Sequence, residues 1–284
     1  MAALGIHAQA GLTPAQHQAV VALKDDCEAA QPIDLKVELA RADTSTAVNT
    51  VLAYEGAQLV GYCGIDAGAE AEVCGMVHPA HRRSGIASRM LGEAIDAAAA
   101  GGRASILVIC EDAAPIARAW MQRRGATLSQ SEHRMLLALN RDAPLPGPTV
   151  TLRRMDPGER PAVARILSSG FAEAAPAIEE RLARSALSAD DEPLVAFAGG
   201  QLVGTTRVIH LPQRSMIYGF VIDGAVRGRG HGGAMLRATL ERLNARGVTQ
   251  VGLEVDPDNI AAVRLYTRFG FRVVTTYRYM RLPT

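Results

Sequence analysis

The stretch AYEGAQLVGYC at residues 53–63 returns as AFAGGQLVGTT at 196–206, and this repetition constrains the fold more than any other feature of the sequence. Ala53, Gly56, Gln58, Leu59, Val60 and Gly61 recur as Ala196, Gly199, Gln201, Leu202, Val203 and Gly204, 143 residues later. Arg82 and Arg227 lie 145 apart, as do Gly125 and Gly270. Such a period is that of a whole domain and far exceeds the roughly 20–50 residues of a solenoid repeat. Two copies of one domain are expected. The joint is RDAPLPGP (141–148), with three prolines and a glycine between the strand-like RMLLAL and TVTLRR. It divides the chain into a domain over 1–141, a Pro-rich linker over 142–148 and a second domain over 149–284.

The second copy shows the order of elements most clearly. TVTLRRM reads as a strand, and DPGERPAVARILSSGF as a helix with Asp156 at its N-cap and Pro157 at its first position. PAIEERLARSAL suggests another helix, and PLVAFAGGQLVGTTRVIHL a hairpin turning at Gly199-Gly200. The apolar strand SMIYGFVID then runs into VRGRGHGGAML. A helix over 230–246, the strand QVGLEV, a helix near 258–268 and the strands of FRVVTTYRYMRL complete the order. The fold class is mixed α/β, with a glycine loop between the fourth strand and the third helix.

That loop contains a literal G-x-G-x-x-G in Gly228, Gly230 and Gly233. A dinucleotide fold places this fingerprint after its first strand, with an acidic residue about 20 positions on, where Glu254 stands. The loop here follows three or four strands of its own domain, and its counterpart HRRSGIAS (81–88) lacks the first and third glycines. Both copies share Arg-x-x-Gly-x-small: Arg227, Gly230, Gly232 and Arg82, Gly85, Ala87. Small residues two apart let backbone N–H groups converge on a phosphate at a helix N-terminus, beside a full positive charge from the arginine.

VHPAHRRSGIASRML and VIDGAVRGRGHGGAML resemble the coenzyme A signature of the GNAT superfamily of N-acyltransferases, and NIAAVRLYTRFGF (259–271) resembles that family's second motif. The resemblance covers nearly the whole chain twice. It implies two tandem GNAT-type domains, each a mixed, mostly antiparallel sheet flanked by helices, with splayed fourth and fifth strands that hold acetyl-CoA. By resemblance, Phe220, Val221 and Ile222 pair with the pantetheine arm, which Asn259 touches, and Arg227, Gly228, Arg229, Gly230, His231, Gly232 and Gly233 hold the pyrophosphate. The first copy's matching positions are Gly75, Met76 and Val77 on the strand and Arg82, Arg83, Ser84, Gly85, Ile86, Ala87 and Ser88 in the loop. Gly224 departs from the family's proline, which would only stiffen the strand exit. The tandem arrangement is similar to that of mycothiol synthases, with no substrate signature attached.

Acyl transfer to an amine needs a neutral nucleophile, a stabilised oxyanion and a proton for the departing thiolate. A carboxylate base and a phenolic acid on opposite sides of the thioester meet these needs. Glu254 and Tyr266, twelve residues apart, lie in a stretch similar to that of ribosomal-protein alanine N-acetyltransferases, where the matching residues are base and acid. The competing readings are a solvated strand carboxylate and a core aromatic at helical spacing. Tyr218 on the fourth strand is an alternative candidate, although such a residue more often packs. All four cysteines fall in the first half, so transfer is expected to be direct. In the first copy Glu254, Asn259 and Tyr266 map to Ile109, Ala114 and Met121, so that domain is expected to be degenerate.

The remaining composition sets limits. A net charge of +1 gives no electrostatic case for nucleic acid or an anionic membrane as partner. The irregularly spaced cysteines suit reduced thiols, and the start MAALGIHAQAGLTPAQ has no signal-like pattern, so the expectation is cytoplasmic. Cys74, His78, His81 and Cys110 lack the paired spacing of a metal site, and none is expected. The expected function is an acetyl-CoA-dependent N-acetyltransferase acting on a small-molecule or peptide amine from its second domain. The alternatives are a non-catalytic acyl-CoA-binding module and a nicotinamide-dependent oxidoreductase. Glu173, Glu179, Glu180, Asp190 and Asp191 are acidic enough to attract a cationic amine, although such runs are usually solvated faces.

Overall fold

A computed structural model describes residues 3–37, 48–67, 70–139, 150–171, 173–185, 189–211 and 214–284. The expected linker at 142–148 lies outside the described residues. In the first half, β1 (Leu4–Gln9), α1 (Pro14–Ala30), β2 (Thr50–Glu55), β3 (Gln58–Ala67) and β4 (Ala71–Val77) precede α2 (Ile86–Ala100). Then come β5 (Ser105–Glu111), α3 (Pro115–Gln122) and β6 (Thr127–Ala138). The second half runs β7 (Thr151–Arg154), α4 (Arg160–Phe171), α5 (Ala175–Ser185), β8 (Asp191–Ala198), β9 (Gln201–His210) and β10 (Ser215–Ile222). It ends with α6 (His231–Ala245), β11 (Gln250–Val255), α7 (Ile260–Arg268) and β12 (Arg272–Pro283).

The repeat seen in the sequence is a repeat of structure. β2 and β3 form a hairpin whose register slips at Ala53/Tyr54, and β8 and β9 form one that slips at Ala196/Phe197, again 143 residues on. The repeated glycines have a packing reason. A Cβ on Gly61 would meet Met90 Sδ at 2.8 Å, and one on Gly204 would meet the Val221 carbonyl oxygen and Ile222 Cδ1 at 2.7 Å, so glycine lets α2 approach the first sheet and β10 pack beside β9. The helix expected from Asp156 begins as a 3-10 turn at 157–159 before α4, and the Glu159 carboxylate accepts from the Asp156 N–H at 2.8 Å.

The compact units do not follow the two repeats to their ends. One unit comprises Met1–Glu132 with Thr275–Thr284, and the other His133–Val274. Each sheet is thus completed by the last strand of the other repeat. In the first unit β12 pairs antiparallel with β5, and Met280 and Leu282 join the core under α2. In the second unit β6 pairs antiparallel with β11, and Met135 joins the core under α6. Each sheet is otherwise antiparallel except for one parallel pair, β4 with β5 and β10 with β11. No helix among the described residues is long and apolar enough to cross a membrane.

Candidate active site

Beyond the end of β10, Asp223 opens a 3-10 turn by accepting from the Ala225 N–H at 3.0 Å. Arg227 follows, its Nε donating to the Ile222 carbonyl at 3.0 Å. Gly228 and Gly230 take left-handed backbone, at φ 78° and 86°, and turn the chain into α6 with no side-chain cap. The first-turn N–H groups, the positive end of the helix, are left for a partner in front of them. Gly232 and Gly233 lie in this turn. A Cβ at either would meet only Leu265 and Ile222, at 3.6–3.9 Å, so the protein itself has room for alanine there. Glycine is the poorer helix former by up to about 1 kcal/mol, and its presence fits a ligand that approaches the backbone. These residues suit the pyrophosphate of coenzyme A.

The first copy walks the same backbone path with different side chains. His78 replaces Asp223, its Nδ1 accepting from the Ala80 N–H at 3.2 Å, and Arg82 Nε donates to the Val77 carbonyl at 3.0 Å. Gly85, at φ 84°, starts α2 without a side-chain cap. Arg83 stands where the second copy has Gly228 and holds φ 63°, a conformation that costs an L-residue roughly 1–2 kcal/mol. Arg82 Nη1 is engaged by Gln31 at 2.9 Å, and Ser88, at the place of Gly233, accepts from Arg124 at 2.8 Å. The loop is preserved, but part of its polarity is turned inward.

Splayed strands are present in both units. β10 and β11 pair only at Ser215, Met216 and Ile217, and β4 and β5 only at Ala71, Glu72 and Val73, although all four strands continue. Beyond the last pair the backbone groups face a gap where an extended ligand can bond to them. Phe220, Val221 and Ile222 lie beyond that parting in the second unit, and Gly75, Met76 and Val77 in the first. Only β10 carries a bulge there: its register against β9 slips between Tyr218 and Val221, with Gly219 at φ 55°. The bulge re-aims Phe220, whose ring meets Tyr266 edge-on at 6.0 Å.

The expected base and acid flank this gap from opposite faces of the sheet. Val251, Leu253 and Val255 of β11 pack into one cluster with Leu236, Leu240 and Leu243 of α6 and with Tyr266 of α7. Strand alternation therefore turns Glu254 to the other face, where a Cβ on Gly252 would meet Met216 Sδ at 2.5 Å. Tyr266 is 5% exposed, wedged between Phe220 and Phe271, and burial raises its hydroxyl well above the ordinary phenol value. It is held protonated. The Glu254 side chain is 8% exposed, and Oε1 accepts from Arg134 Nη2 at 2.9 Å. Glu254 is thus not a solvated strand carboxylate. Arg134 escaped the sequence reading: its one signal is a charge inside the apolar strand RMLLAL, 120 residues from its partner.

Asn259 has a structural duty. It caps α7, Oδ1 accepting from the Ala262 N–H at 3.1 Å, which leaves the amide N–H groups of the same side chain for a ligand. In the first unit Ile109, Ala114 and Met121 occupy the matching places, and Met121 is fully buried core. Tyr279 stands across from Ile109 as Arg134 does from Glu254, and joins Lys36 and Glu132 in a polar cluster. The acidic residues near the second copy's early helices are largely paired: Glu173 with Arg181, Glu180 with Arg184, Asp191 with Arg207. Cys74 and Cys110 are buried, and His81 pairs with Glu55 at 2.8 Å. No group of three or more metal-ligating side chains occurs among the described residues.

The acetyltransferase (GNAT) family model matches residues 18–126 and again 160–271, well over half of the chain. The chain is 30% identical to a mycothiol acetyltransferase of Thermobispora bispora over 282 residues, covering 91% of this chain and 93% of that protein. It is 28% identical to one from Sanguibacter keddieii over 301 residues, covering 96% and 95%. Among solved structures, a GCN5-related N-acetyltransferase from Sphaerobacter thermophilus matches with a TM-score of 0.81 at 22% identity, over 99% of this chain and 95% of that one. A tandem GNAT protein from the clavulanic acid biosynthesis pathway, solved without AcCoA, matches at 0.76 and 18%, over 99% and 98%. At these identities the structural likeness concerns the fold.

Proposed function

This chain belongs to the GNAT acetyltransferase family, and from that premise we propose that its second repeat moves an acetyl group from acetyl-CoA directly to a primary amine of a small molecule or peptide. One observation carries the reading: β10 and β11 part after Ile217 and Leu253, with Glu254 on one face of the gap and Tyr266 on the other. When bound, acetyl-CoA supplies the thioester. Gly228 to Gly233 and the start of α6 hold its pyrophosphate, and the freed backbone of Phe220 to Ile222 holds the pantetheine arm. Glu254 takes a proton from the acceptor nitrogen, directly or through one water. Tyr266 keeps its proton at neutral pH and gives it to the departing sulfur. Phe220 and Phe271 pack edge-on against the ring of Tyr266, which is 5% exposed.

The mycothiol acetyltransferases among the relatives support one acceptor class, and an amine of the des-acetyl mycothiol type is our proposed substrate. The test is incubation with acetyl-CoA and a panel of des-acetyl mycothiol, amino sugars, amino acids and a peptide N-terminus, with acetylated product counted by mass spectrometry. Des-acetyl mycothiol is expected to be acetylated in step with coenzyme A release. Turnover of a different amine would replace the acceptor and keep the chemistry. Tight acetyl-CoA binding with no acetylated product would instead establish a non-catalytic binding module.

A further inference from the structure

We propose that Arg134, on the last strand of the first repeat, is a positioning residue for Glu254 in the second repeat's site; this rests on the reading of Glu254 as the base. Arg134 and Glu254 are direct cross-strand partners in the antiparallel pairing of β6 with β11. Their side chains are 6% and 8% exposed and joined at 2.9 Å. A guanidinium this close to a shielded carboxylate favours its ionised form and fixes its direction. The ion pair is particular to this site. The same place in the first unit has Tyr279 opposite Ile109, where no carboxylate needs holding.

Other titratable and charged groups near Glu254 can be placed among the described residues. On the same sheet face, Tyr218 of β10 follows Met216 toward the gap, and Arg207 of β9 lies opposite Tyr218 with its guanidinium engaged by Asp191 at 2.6 Å. His133 flanks Arg134 on β6 but is the cross-strand partner of Val255, on the opposite face. Tyr266 of α7 is also on that opposite face. From α4, which packs on the β10 side, Leu167 reaches Gly219. The first repeat has lost its own acid and base, and through the exchange of β6 it still supplies a part of the second site.

The test is a titration of protein carrying ¹³C-labelled glutamate, with the Glu254 carboxyl signal identified by its loss in Glu254→Gln. Arg134→Gln is expected to move the Glu254 titration to higher pH, and Arg134→Lys to recover most of the wild-type behaviour, each variant being checked for wild-type amide spectra. Superimposable Glu254 titrations in the wild type and Arg134→Gln would overturn the proposal. If the glutamine variant unfolds, Arg134→Met, which keeps the apolar stem and removes the charge, takes its place under the same criterion. Steady-state kinetics separates the two readings. Should Arg134→Gln move the carboxyl titration yet leave the acidic limb of kcat in place, the pairing stands and Glu254 is not the base.

Discussion

Tyr266 and Glu254 occupy environments that push their chemistry in opposite directions. Burial among Phe220 and Phe271 keeps the phenol protonated, and Arg134 faces the carboxylate. Tyr266→Phe is expected to lower kcat by about 10²–10⁴-fold with little change in the KM for acetyl-CoA. An unaltered kcat would return the ring to a packing role. The raised hydroxyl also has a stability consequence. Below the ordinary phenol value of about 10 both folded and unfolded chains hold this proton, and above it only the folded chain does, so its contribution to stability is lost as pH rises further. At this scale the sequence was legible in where the two side chains sit: Glu254 falls on β11 and Tyr266 on α7, as the strand and helix patterns expect. Arg134 was not, because cross-strand proximity leaves no trace in local spacing. Truncating one member of so shielded an ion pair costs about 3–5 kcal/mol, which is why folding controls belong with every variant of it.

At the scale of elements, the glycine loop and α6 form one device: two left-handed glycines, an uncapped helix start and a first turn with room for small side chains. Gly233→Glu separates binding from stability. An acidic side chain in the first turn suits the helix dipole by about 0.3–1 kcal/mol, yet it repels a pyrophosphate at the same N-terminus. The expected outcome is an unchanged or slightly raised Tm in the absence of ligand, with acetyl-CoA affinity lowered by about tenfold or more. Equal affinity would mean that the pyrophosphate binds elsewhere. The loop, the Gly199-Gly200 hairpin and the strand QVGLEV were readable because turn chemistry and alternation write themselves into a few consecutive residues. The bulge of β10 was less so. Gly219 is a single glycine inside an apolar run, and its counterpart Cys74 lies in a strand of unbroken register.

At the scale of the molecule, the repeat predicts two domains but not where each closes. RMLLAL and YRYMRL both read as strands, and an apolar strand pattern states that a strand is buried without stating which sheet buries it. The exchange of β6 and β12 therefore had to come from the fold. It makes each unit depend on both repeats for its sheet, while the chemistry remains unequal: both units keep an arginine and a left-handed glycine at the loop, and only the second keeps Glu254, Asn259 and Tyr266. Coenzyme binding and turnover should therefore part company. The most direct measurement is steady-state acetyl transfer by Arg227→Glu and Arg82→Glu, each confirmed folded and titrated calorimetrically with acetyl-CoA. Charge reversal at Arg227 is expected to remove most turnover by repelling the pyrophosphate, and the same change at Arg82 to remove any first-site binding while most turnover survives. Loss of turnover in Arg82→Glu with full activity in Arg227→Glu would contradict the assignment of catalysis to the second repeat.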